Sequence, residues 1–324
     1  MQQRNVGLGH SLKAAFVILQ ITVTLVASTA SQLVKAQTID TFPFNSYQLR
    51  KHPIKRTPWV PLETNTAASI FLDIDNDGVT EYLGIGITED YHWALMENNR
   101  AAGEASPDVF TLYRRDENCY EKECLLEDED IKLDNRDCLH ARKSIIGDFN
   151  QDGFMDVVVA CHGWDKAPFP GSRVVALINN DGKGFSLKTL PFSGYWHSIA
   201  SADFNGDGLL DLVLADAAWR SSSSLDVYLN DGSFNFSKDD SYIKTGWGGV
   251  PKAFTLSVPD INSDGLFDLF IAGNKFAHYI LNNGQNTFAL SDKVTLPTTE
   301  DFPYTYDILV HEENLFLLKV EAKH

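Results

Sequence analysis

The sequence predicts an all-β fold, a β-propeller of about five blades, from three observations. A nine-residue pattern rich in aspartate and glycine occurs four times, beginning at residues 73, 148, 203 and 260. An apolar run typical of a buried strand follows each copy, as in residues 212–215. Asp-Gly or Asn-Gly pairs, which are typical of β-hairpins, then separate further short strands, as at Asp231-Gly232. The intervals of 75, 55 and 57 residues, each holding several strands, indicate propeller blades.

Each copy of the pattern is typical of a loop that binds a hard cation such as calcium. In the third copy, oxygen-bearing side chains occupy loop positions 1, 3, 5 and 9, and Gly208 occupies position 6. Calcium takes about six to eight oxygen ligands, and a glycine lets a short loop curl because it tolerates positive φ. The carbonyl of Leu209 at position 7 would add a further oxygen. The candidate ligands of the four loops are Asp73, Asp75, Asp77, Glu81, Asp148, Asn150, Asp152, Asp156, Asp203, Asn205, Asp207, Asp211, Asp260, Asn262, Asp264 and Asp268.

Acidic turns without a metal are the alternative interpretation of these loops. Several carboxylates in one short loop would, however, repel one another in the absence of a cation. The loops also differ from EF-hands, because no glutamate occupies position 12 and the flanking segments are predicted strands rather than helices. We therefore expect up to four structural calcium ions, each at the tip of a β-hairpin.

The beginning of the chain predicts a secretory signal peptide over residues 1–36. Arg4 and Lys13 form a basic region, an apolar run covers residues 14–27, and small-residue cleavage sites follow at Ala30 and Ala36. An uncleaved membrane anchor is the alternative, but the apolar run is short for a membrane span. The expected mature domain is residues 37–324, without a membrane span, and it would be extracellular or periplasmic.

The charge of the chain limits its partners. The 324 residues carry 44 acidic and 27 basic side chains, with a formal net charge of −17. Thirteen of the acidic residues lie at the proposed ligand positions, so much of the negative charge would be neutralised by bound metal. An acidic chain of this kind is not expected to bind nucleic acid, whose backbone is itself anionic.

The four cysteines are consistent with an exported protein that contains disulfides. We expect the pairs Cys119–Cys124 and Cys138–Cys161, although four cysteines allow other pairings and zinc is the alternative use. The first interval between loops is about 20 residues longer than the others, which predicts an insertion at about residues 97–137. The insertion contains the acidic run 127–130, and it is either a solvated loop or a docking site for a partner.

A fifth, degenerate repeat is predicted at the end of the chain. Residues 304–310 and 315–320 are predicted strands, and the turn 311–314 lies where the next loop is due but lacks its ligand pattern. Residues 47–50 could supply an outer strand, so that the last blade would be shared by the two termini and close the ring. An incomplete piece of a longer propeller is the alternative.

The loop pattern D-x-[DN]-x-D-G-x-x-[DE], followed by an apolar strand and segments such as residues 228–234, resembles the FG-GAP or VCBS-type repeats. This is the family that includes the propeller of the integrin α-subunit. The resemblance covers about residues 65–295. It implies a calcium-binding β-propeller outside the cytoplasm, most often used in adhesion or ligand recognition. The five predicted blades depart from the seven that are usual in integrins.

Aromatic and histidine residues are predicted to lie at the end of the strands opposite the calcium loops. They could fill the wedges between blades or form a face that binds a carbohydrate or a protein. These candidates are His92, Trp93, His162, Trp164, Trp196, His197, Trp219, Arg220, Trp247 and Phe276.

The expected function is that of a secreted ligand-binding or adhesion module rather than an enzyme. The chain contains neither the G-x-S-x-G motif nor the H-E-x-x-H motif, and no catalytic residue is predicted. One alternative is a secreted polysaccharide-active enzyme of the lyase type, with its site on the aromatic face. Another is a structural subunit of a surface assembly.

Overall fold

The structure is a computed structural model that describes residues 17–22, 37–38, 66–78, 81–86, 109–115, 125–132, 138–163, 170–217, 225–244, 253–298, 304–311 and 314–320. These residues form β-strands, numbered here in chain order, and the short 3-10 helices Asp240–Tyr242 and Leu290–Asp292. No described segment is a helix with the length and hydropathy that a membrane crossing requires.

Five four-stranded antiparallel sheets contain all the described strands. In four of the sheets the strands follow one another along the chain. The first sheet contains β3 (Thr66–Leu72), β4 (Glu81–Gly86), β5 (Val109–Arg115) and β6 (Leu125–Lys132). The second sheet contains β7 (Ala141–Gly147), β8 (Asp156–Cys161), β9 (Ser172–Asn179) and β10 (Phe185–Gly194). The third sheet contains β11 (Trp196–Ala202), β12 (Asp211–Asp216), β13 (Leu225–Asn230) and β14 (Phe236–Lys238). The fourth sheet contains β15 (Ala253–Ser257), β16 (Leu269–Gly273), β17 (Phe276–Ile280) and β18 (Val294–Thr295).

The fifth sheet joins strands from both ends of the chain. Its order is β19 (Tyr304–His311), β20 (Asn314–Val320), β1 (Val17–Thr22) and β2 (Gln37–Thr38). The predicted strand–turn–strand repeat at the end of the chain is therefore present. The N-terminal strands described in this sheet are β1 and β2. Residues 47–50, which are predicted to supply an outer strand, lie outside the described part of the chain. Cleavage of residues 1–36, which stays a prediction, would remove β1 and leave β20 at the sheet edge.

The first strands of successive sheets lie side by side, so the sheets follow one another like the blades of a propeller. Strand β3 lies beside β7, β7 beside β11, β11 beside β15, and β15 beside β19. The chain thus places each proposed metal loop, which follows the first strand of its sheet, at the same end of the structure. The predicted all-β propeller fold is confirmed.

The second strand of each internal blade is buried on both faces because another sheet packs on each side. In β8, Val157 and Val159 face the first sheet, while Val158 and Ala160 face the third. The same alternation occurs in β12, where Leu212 and Leu214 belong to one cluster and the residues between and after them belong to the next. Successive side chains of a strand point to opposite faces, so a continuous apolar run is the pattern that a strand between two packed sheets requires.

The predicted disulfide Cys138–Cys161 is confirmed, with a Cα–Cα distance of 5.2 Å. It joins the residue that lies three positions before β7 to the last residue of β8, and both cysteines are fully buried. Cys119 and Cys124 lie outside the described residues. The segment 97–137 contains β5 and β6, so the acidic run 127–130 belongs to the outer strand of the first sheet.

Candidate metal centres and ligand face

Each of the four acidic loops joins the first strand of its sheet to the second, at the tip of an antiparallel hairpin. The first loop lies between β3 and β4, which pair from Thr66 with Gly86 to Leu72 with Glu81. The other three loops lie between β7 and β8, β11 and β12, and β15 and β16. The predicted position of the loops at hairpin tips agrees with this topology.

The four loops share one backbone conformation. Positions 4 and 6 have positive φ in every loop, with values of 60° at Asn76 and 85° at Gly78 in the first. The other residues with positive φ at these positions are Gln151, Gly153, Gly206, Gly208, Ser263 and Gly265. Glycine at position 6 tolerates this left-handed conformation. In the first loop the curl lets the carboxylates of Asp73 and Asp75, at positions 1 and 3, both accept the N–H of Asp77.

The carboxylate at position 1 organises the loop by accepting backbone hydrogen bonds. In the third loop, the N–H of Asp207 donates to Oδ1 of Asp203 at 3.1 Å, and the N–H of Gly208 donates to Oδ2 at 2.8 Å. The same two contacts occur in the other loops. These hydrogen bonds fix the position-1 carboxylate in each loop.

The carboxylate at position 9 is buried and joins three segments of its blade. Asp211 has no solvent exposure. Its Oδ2 accepts the N–H of Phe204 at 2.9 Å, and its Oδ1 accepts the N–H of Asn230, the last residue of β13, at 2.8 Å. The equivalent contacts occur at Asp156 and Asp268, and Glu81 accepts the N–H of loop position 2 in the first loop.

Burial makes the charged form of these carboxylates costly. Burial is the main cause that raises the pKa of Asp156 from 3.8 to about 6, and the charges of Asp152 and Asp148 act in the same direction. Burial likewise raises the pKa of Glu81, Asp211 and Asp268. A cation in the loop would favour the ionised carboxylates, because an opposite charge offsets both the desolvation and the mutual repulsion.

The donor set fits a hard cation. In the first loop, carboxylate oxygens of Asp73, Asp75 and Glu81 all lie within 4.8 Å of one another. All sixteen predicted ligands offer oxygen, and none offers sulfur or an imidazole nitrogen. Calcium prefers oxygen ligands at about 2.3–2.6 Å, and the oxygen-bearing side chains at positions 1, 3, 5 and 9 fit that preference.

The structure describes four of the ten residues that were predicted to form the aromatic face. His162, Trp196 and Phe276 are buried, with exposed fractions of 1%, 1% and 6%, and His197 is half-buried. Trp196 packs on Gly194 and contacts Tyr228, within the core between the second and third sheets. The burial of these three rings supports the interpretation that they fill wedges between blades. The other predicted members are His92, Trp93, Trp164, Trp219, Arg220 and Trp247, and they lie outside the described residues.

Histidine and aromatic rings do converge at the predicted end of the strands. The ring centroids of His162 and His197 lie 4.3 Å apart, and those of His140 and His162 lie 5.2 Å apart. The His162 centroid lies 3.5 Å from that of Tyr195, and the His197 centroid lies 4.9 Å from that of Phe254. Strand ends from three successive blades therefore bring together side chains that are far apart in sequence.

Comparisons with known proteins found one matching repeat family and a similar solved structure. Residues 148–214, which include the second and third loops, match the family FG-GAP-like repeat. This segment of the chain is similar to FG-GAP-like repeats, and the described strands form an all-β propeller. No curated protein matches it. A crystal structure of BBS1N in complex with ARL6DN, soaked with lead, is similar with a TM-score of 0.42 and 7% identity, over 89% of this chain and 69% of that chain.

A β-bulge in the first strand of each propeller sheet is a feature that the sequence analysis missed. In the four sheets with an acidic loop, the unpaired residue lies six positions before loop position 1, at the end of the strand opposite the loop. These residues are Ala67, Arg142, His197 and Phe254, and the same register shift places Tyr306 in the fifth sheet. Bulges redirect side chains and are frequent next to binding sites. The fixed spacing from the loops is the sequence signal that could have identified them.

The asparagine at the end of the third strand is a second feature that the sequence analysis missed. The side chain of Asn179 donates to the carbonyl of Ile74 in the first loop at 2.8 Å, and that of Asn230 donates to the carbonyl of Phe149 in the second loop at 2.7 Å. Both asparagines are buried. Each one therefore fastens its own blade to the loop of the preceding blade of the propeller.

We expect Gly182→Ala to destabilise the propeller more than Gly284→Ala. Both glycines have positive φ, 76° and 81°. A Cβ at Gly182 would lie 2.7 Å from Cα of Asp75 in the first loop, whereas a Cβ at Gly284 would meet nothing within 4 Å. The left-handed backbone costs an alanine about 1–2 kcal/mol, and the clash adds roughly 1–3 kcal/mol. Urea unfolding measures both variants, and equal losses would contradict the close contact.

Proposed function

We propose that this FG-GAP-repeat β-propeller is a secreted calcium-binding protein that serves as a ligand-binding or adhesion module. Calcium would be structural, and the partner would be a carbohydrate or a protein. The observation that carries the proposal is the repetition of one loop scaffold in four blades, with oxygen ligands at the same positions in each. Four acidic loops with the same hydrogen-bonded scaffold, and a cluster of carboxylate oxygens in the first of them, support a common metal rather than four unrelated turns.

Secretion is supported by the buried disulfide Cys138–Cys161. Disulfides form and persist in oxidising compartments and are rare in the cytosol. The bond accords with the predicted signal peptide over residues 1–36 and with an extracellular or periplasmic location.

The ligand would bind at the end of the propeller opposite the calcium loops. Three of the bulge residues, Arg142, His197 and Phe254, are half-buried there and come from three successive blades. The set combines an aromatic ring, an imidazole and a guanidinium. Aromatic rings with polar neighbours suit the apolar faces and hydroxyl groups of a sugar, and also suit a peptide side chain. This arrangement separates the metal, which would stabilise the blades, from the surface that would recognise the partner.

We expect His197→Ala to lower ligand binding about tenfold or more, as is usual for a central contact residue. The measurement is binding of the labelled protein to a panel of immobilised glycans and peptides, in calcium and in chelator. His278→Ala is the matched control, because His278 is half-buried on the third strand of the fourth sheet. The absence of binding to every member of the panel, or equal losses in the two variants, would contradict the proposed face.

A further inference from the structure

The buried carboxylates of successive loops are connected by a continuous chain of hydrogen bonds. The backbone N–H of Asn179 donates to Oδ1 of Asp156 in the second loop at 2.9 Å. Its side-chain Nδ2 donates to the carbonyl of Ile74 in the first loop at 2.8 Å. The N–H of Ile74 in turn donates to Oε2 of Glu81 at 2.8 Å. The side chain and backbone of Asn179 and the backbone of Ile74 thus connect the position-9 carboxylates of two neighbouring loops.

The same connection links the second loop to the third. The N–H of Asn230 donates to Asp211, and its side chain donates to the carbonyl of Phe149, whose own N–H donates to Asp156. Asp156 therefore accepts the N–H of Asn179, which connects it to the first loop, and the N–H of Phe149, which connects it to the third. It is fully buried, so the hydrogen bonds are not exposed to competition from bulk water.

The first three loops are also linked at their exposed tips, in the opposite direction. The side chain of Asn76 at position 4 of the first loop donates to the carbonyl of Gly153 in the second at 3.0 Å. Gln151, at position 4 of the second loop, donates to the carbonyl of Gly208 in the third at 2.9 Å. The carbonyl that accepts belongs in both cases to position 6, next to the predicted carbonyl ligand of position 7.

The connection from the third loop to the fourth has a different composition. Position 4 of the third loop is Gly206, which has no side chain to donate. The fourth blade reaches the third loop through Asn286, whose Nδ2 donates to the carbonyl of Phe204 at 3.0 Å. Asn286 is held by Asn282, which also donates its N–H to Asp268. The third and fourth loops are thus linked through Asn282 and Asn286. Gly206 offers no side chain that could donate to the fourth loop as Gln151 donates to the third.

We propose that calcium binding is cooperative among the first three loops. The coupling is transmitted by the buried side chains of Asn179 and Asn230 and, at the loop tips, by Gln151. This inference rests on the proposed calcium function. Calcium at one loop would fix the position-9 carboxylate and with it the backbone of the residue at position 2. The carbonyl of that same residue accepts the side chain of the asparagine in the next blade, and the N–H of that asparagine positions the next carboxylate. Binding at one loop therefore reduces the conformational entropy that is lost when calcium binds at the other, and this is positive cooperativity. Thermodynamic linkage makes the effect equal in both directions.

The test is a calorimetric titration of the metal-free full-length protein with calcium ions. We expect a Hill coefficient of about 1.5 or more for the unchanged protein, since coupling between sites commonly changes affinity about 5- to 150-fold. Gln151→Ala should lower the Hill coefficient and leave the number of bound ions unchanged. Ser263→Ala is the matched control, because Ser263 occupies position 4 of the fourth loop with φ of 58°, as Gln151 does in the second. The exposed position of Gln151 makes its replacement compatible with folding.

A second measurement uses loops that are disabled singly. Asp152→Asn removes a ligand charge from the second loop, which has bridges on both sides, and Asp264→Asn does so in the fourth. We expect Asp152→Asn to lower the calcium affinity of the remaining loops about tenfold, and Asp264→Asn to lower it less. Independent sites, or identical behaviour of Gln151→Ala and Ser263→Ala, would overturn the coupling while leaving the calcium function in place. An unchanged protein that binds no calcium would overturn both.

Discussion

Chelation of calcium is expected to lower the melting temperature of the protein by about 10 °C or more. A site that is saturated at 100 times its dissociation constant adds about 2.7 kcal/mol to the free energy of unfolding. Each kcal/mol shifts the melting temperature of a domain of this size class by roughly 2–4 °C. One occupied site would therefore raise the melting temperature by roughly 5–11 °C. Occupation of all four loops, which share one scaffold, would raise it further. The measurement is a thermal melt followed by circular dichroism, with calcium and with chelator.

The substitution Asp207→Asn tests whether Asp207 acts as a metal ligand or only as an acidic side chain of the loop. Asp207 occupies position 5 of the third loop and is exposed. Asparagine has nearly the same shape and removes one negative charge from a crowded loop. In chelator we expect Asp207→Asn to melt at the same temperature as the unchanged protein or slightly higher, because repulsion is relieved. In calcium we expect it to melt about 5 °C lower, because one site is lost.

The control for this experiment is Asp292→Ala, which removes an exposed carboxylate outside the loops. It should change neither melt by more than about 1–2 °C, since surface substitutions usually alter stability by less than about 0.5 kcal/mol. Melts that do not respond to calcium would mean that the loops are acidic turns held by their own hydrogen bonds. Equal responses of Asp207→Asn and Asp292→Ala would point to a nonspecific effect of ionic strength.

Replacement of Asn230 by alanine is expected to destabilise the protein by about 3–5 kcal/mol. The side chain of Asn230 is buried and makes three hydrogen bonds. It donates to the carbonyls of Phe149 and Leu210, at 2.7 and 3.2 Å, and accepts the N–H of Gly232 at 3.1 Å. Each buried partner that is left without a hydrogen bond costs about 1–3 kcal/mol.

Urea unfolding in chelator measures this effect without a contribution from metal. Asn235→Ala is the matched control, because Asn235 is an exposed asparagine of the same hairpin whose side chain bonds only Asp231 and Lys188 among the described hydrogen bonds. We expect the control to lose less than about 1 kcal/mol. A loss in Asn230→Ala that is no greater than in the control would show that the bridge between blades carries little of the stability.

Features that depend on residues close together in the sequence could be predicted well. The loop pattern of Asp203, Asn205, Asp207 and Gly208 defines a turn by itself, because the chemistry of aspartate and glycine acts over a few residues. The two-sided burial of β12 could be predicted because residues 212–215 form a continuous apolar run. The pairing Cys138–Cys161 could be predicted because one cysteine precedes β7 and the other ends β8, and the two strands form an antiparallel hairpin.

Features that depend on neighbouring blades could not be predicted from the sequence alone. The sequence predicts only that Asn230 belongs to a hairpin. Its contact with Phe149 could not be predicted, because the two residues are 81 positions apart. The sequence leaves open whether Trp196 fills the wedge between blades or lies on a ligand face, and the stacking of the second and third sheets buries it. The N-terminal strand of the fifth sheet is β1, and an apolar segment such as Val17–Thr22 carries no local signal that distinguishes a strand from part of a signal peptide.

By itself the sequence determined the repeated hairpins, the oxygen-bearing side chains at their tips and the apolar strands that follow them. These properties arise from turn chemistry and from the alternation of side chains along a strand, which act within one blade. The tertiary structure decided which aromatic rings are buried, which bulge residues converge, and how the loops are joined to one another. Those properties depend on the distance between sheets, and short-range patterns contain no information about that distance.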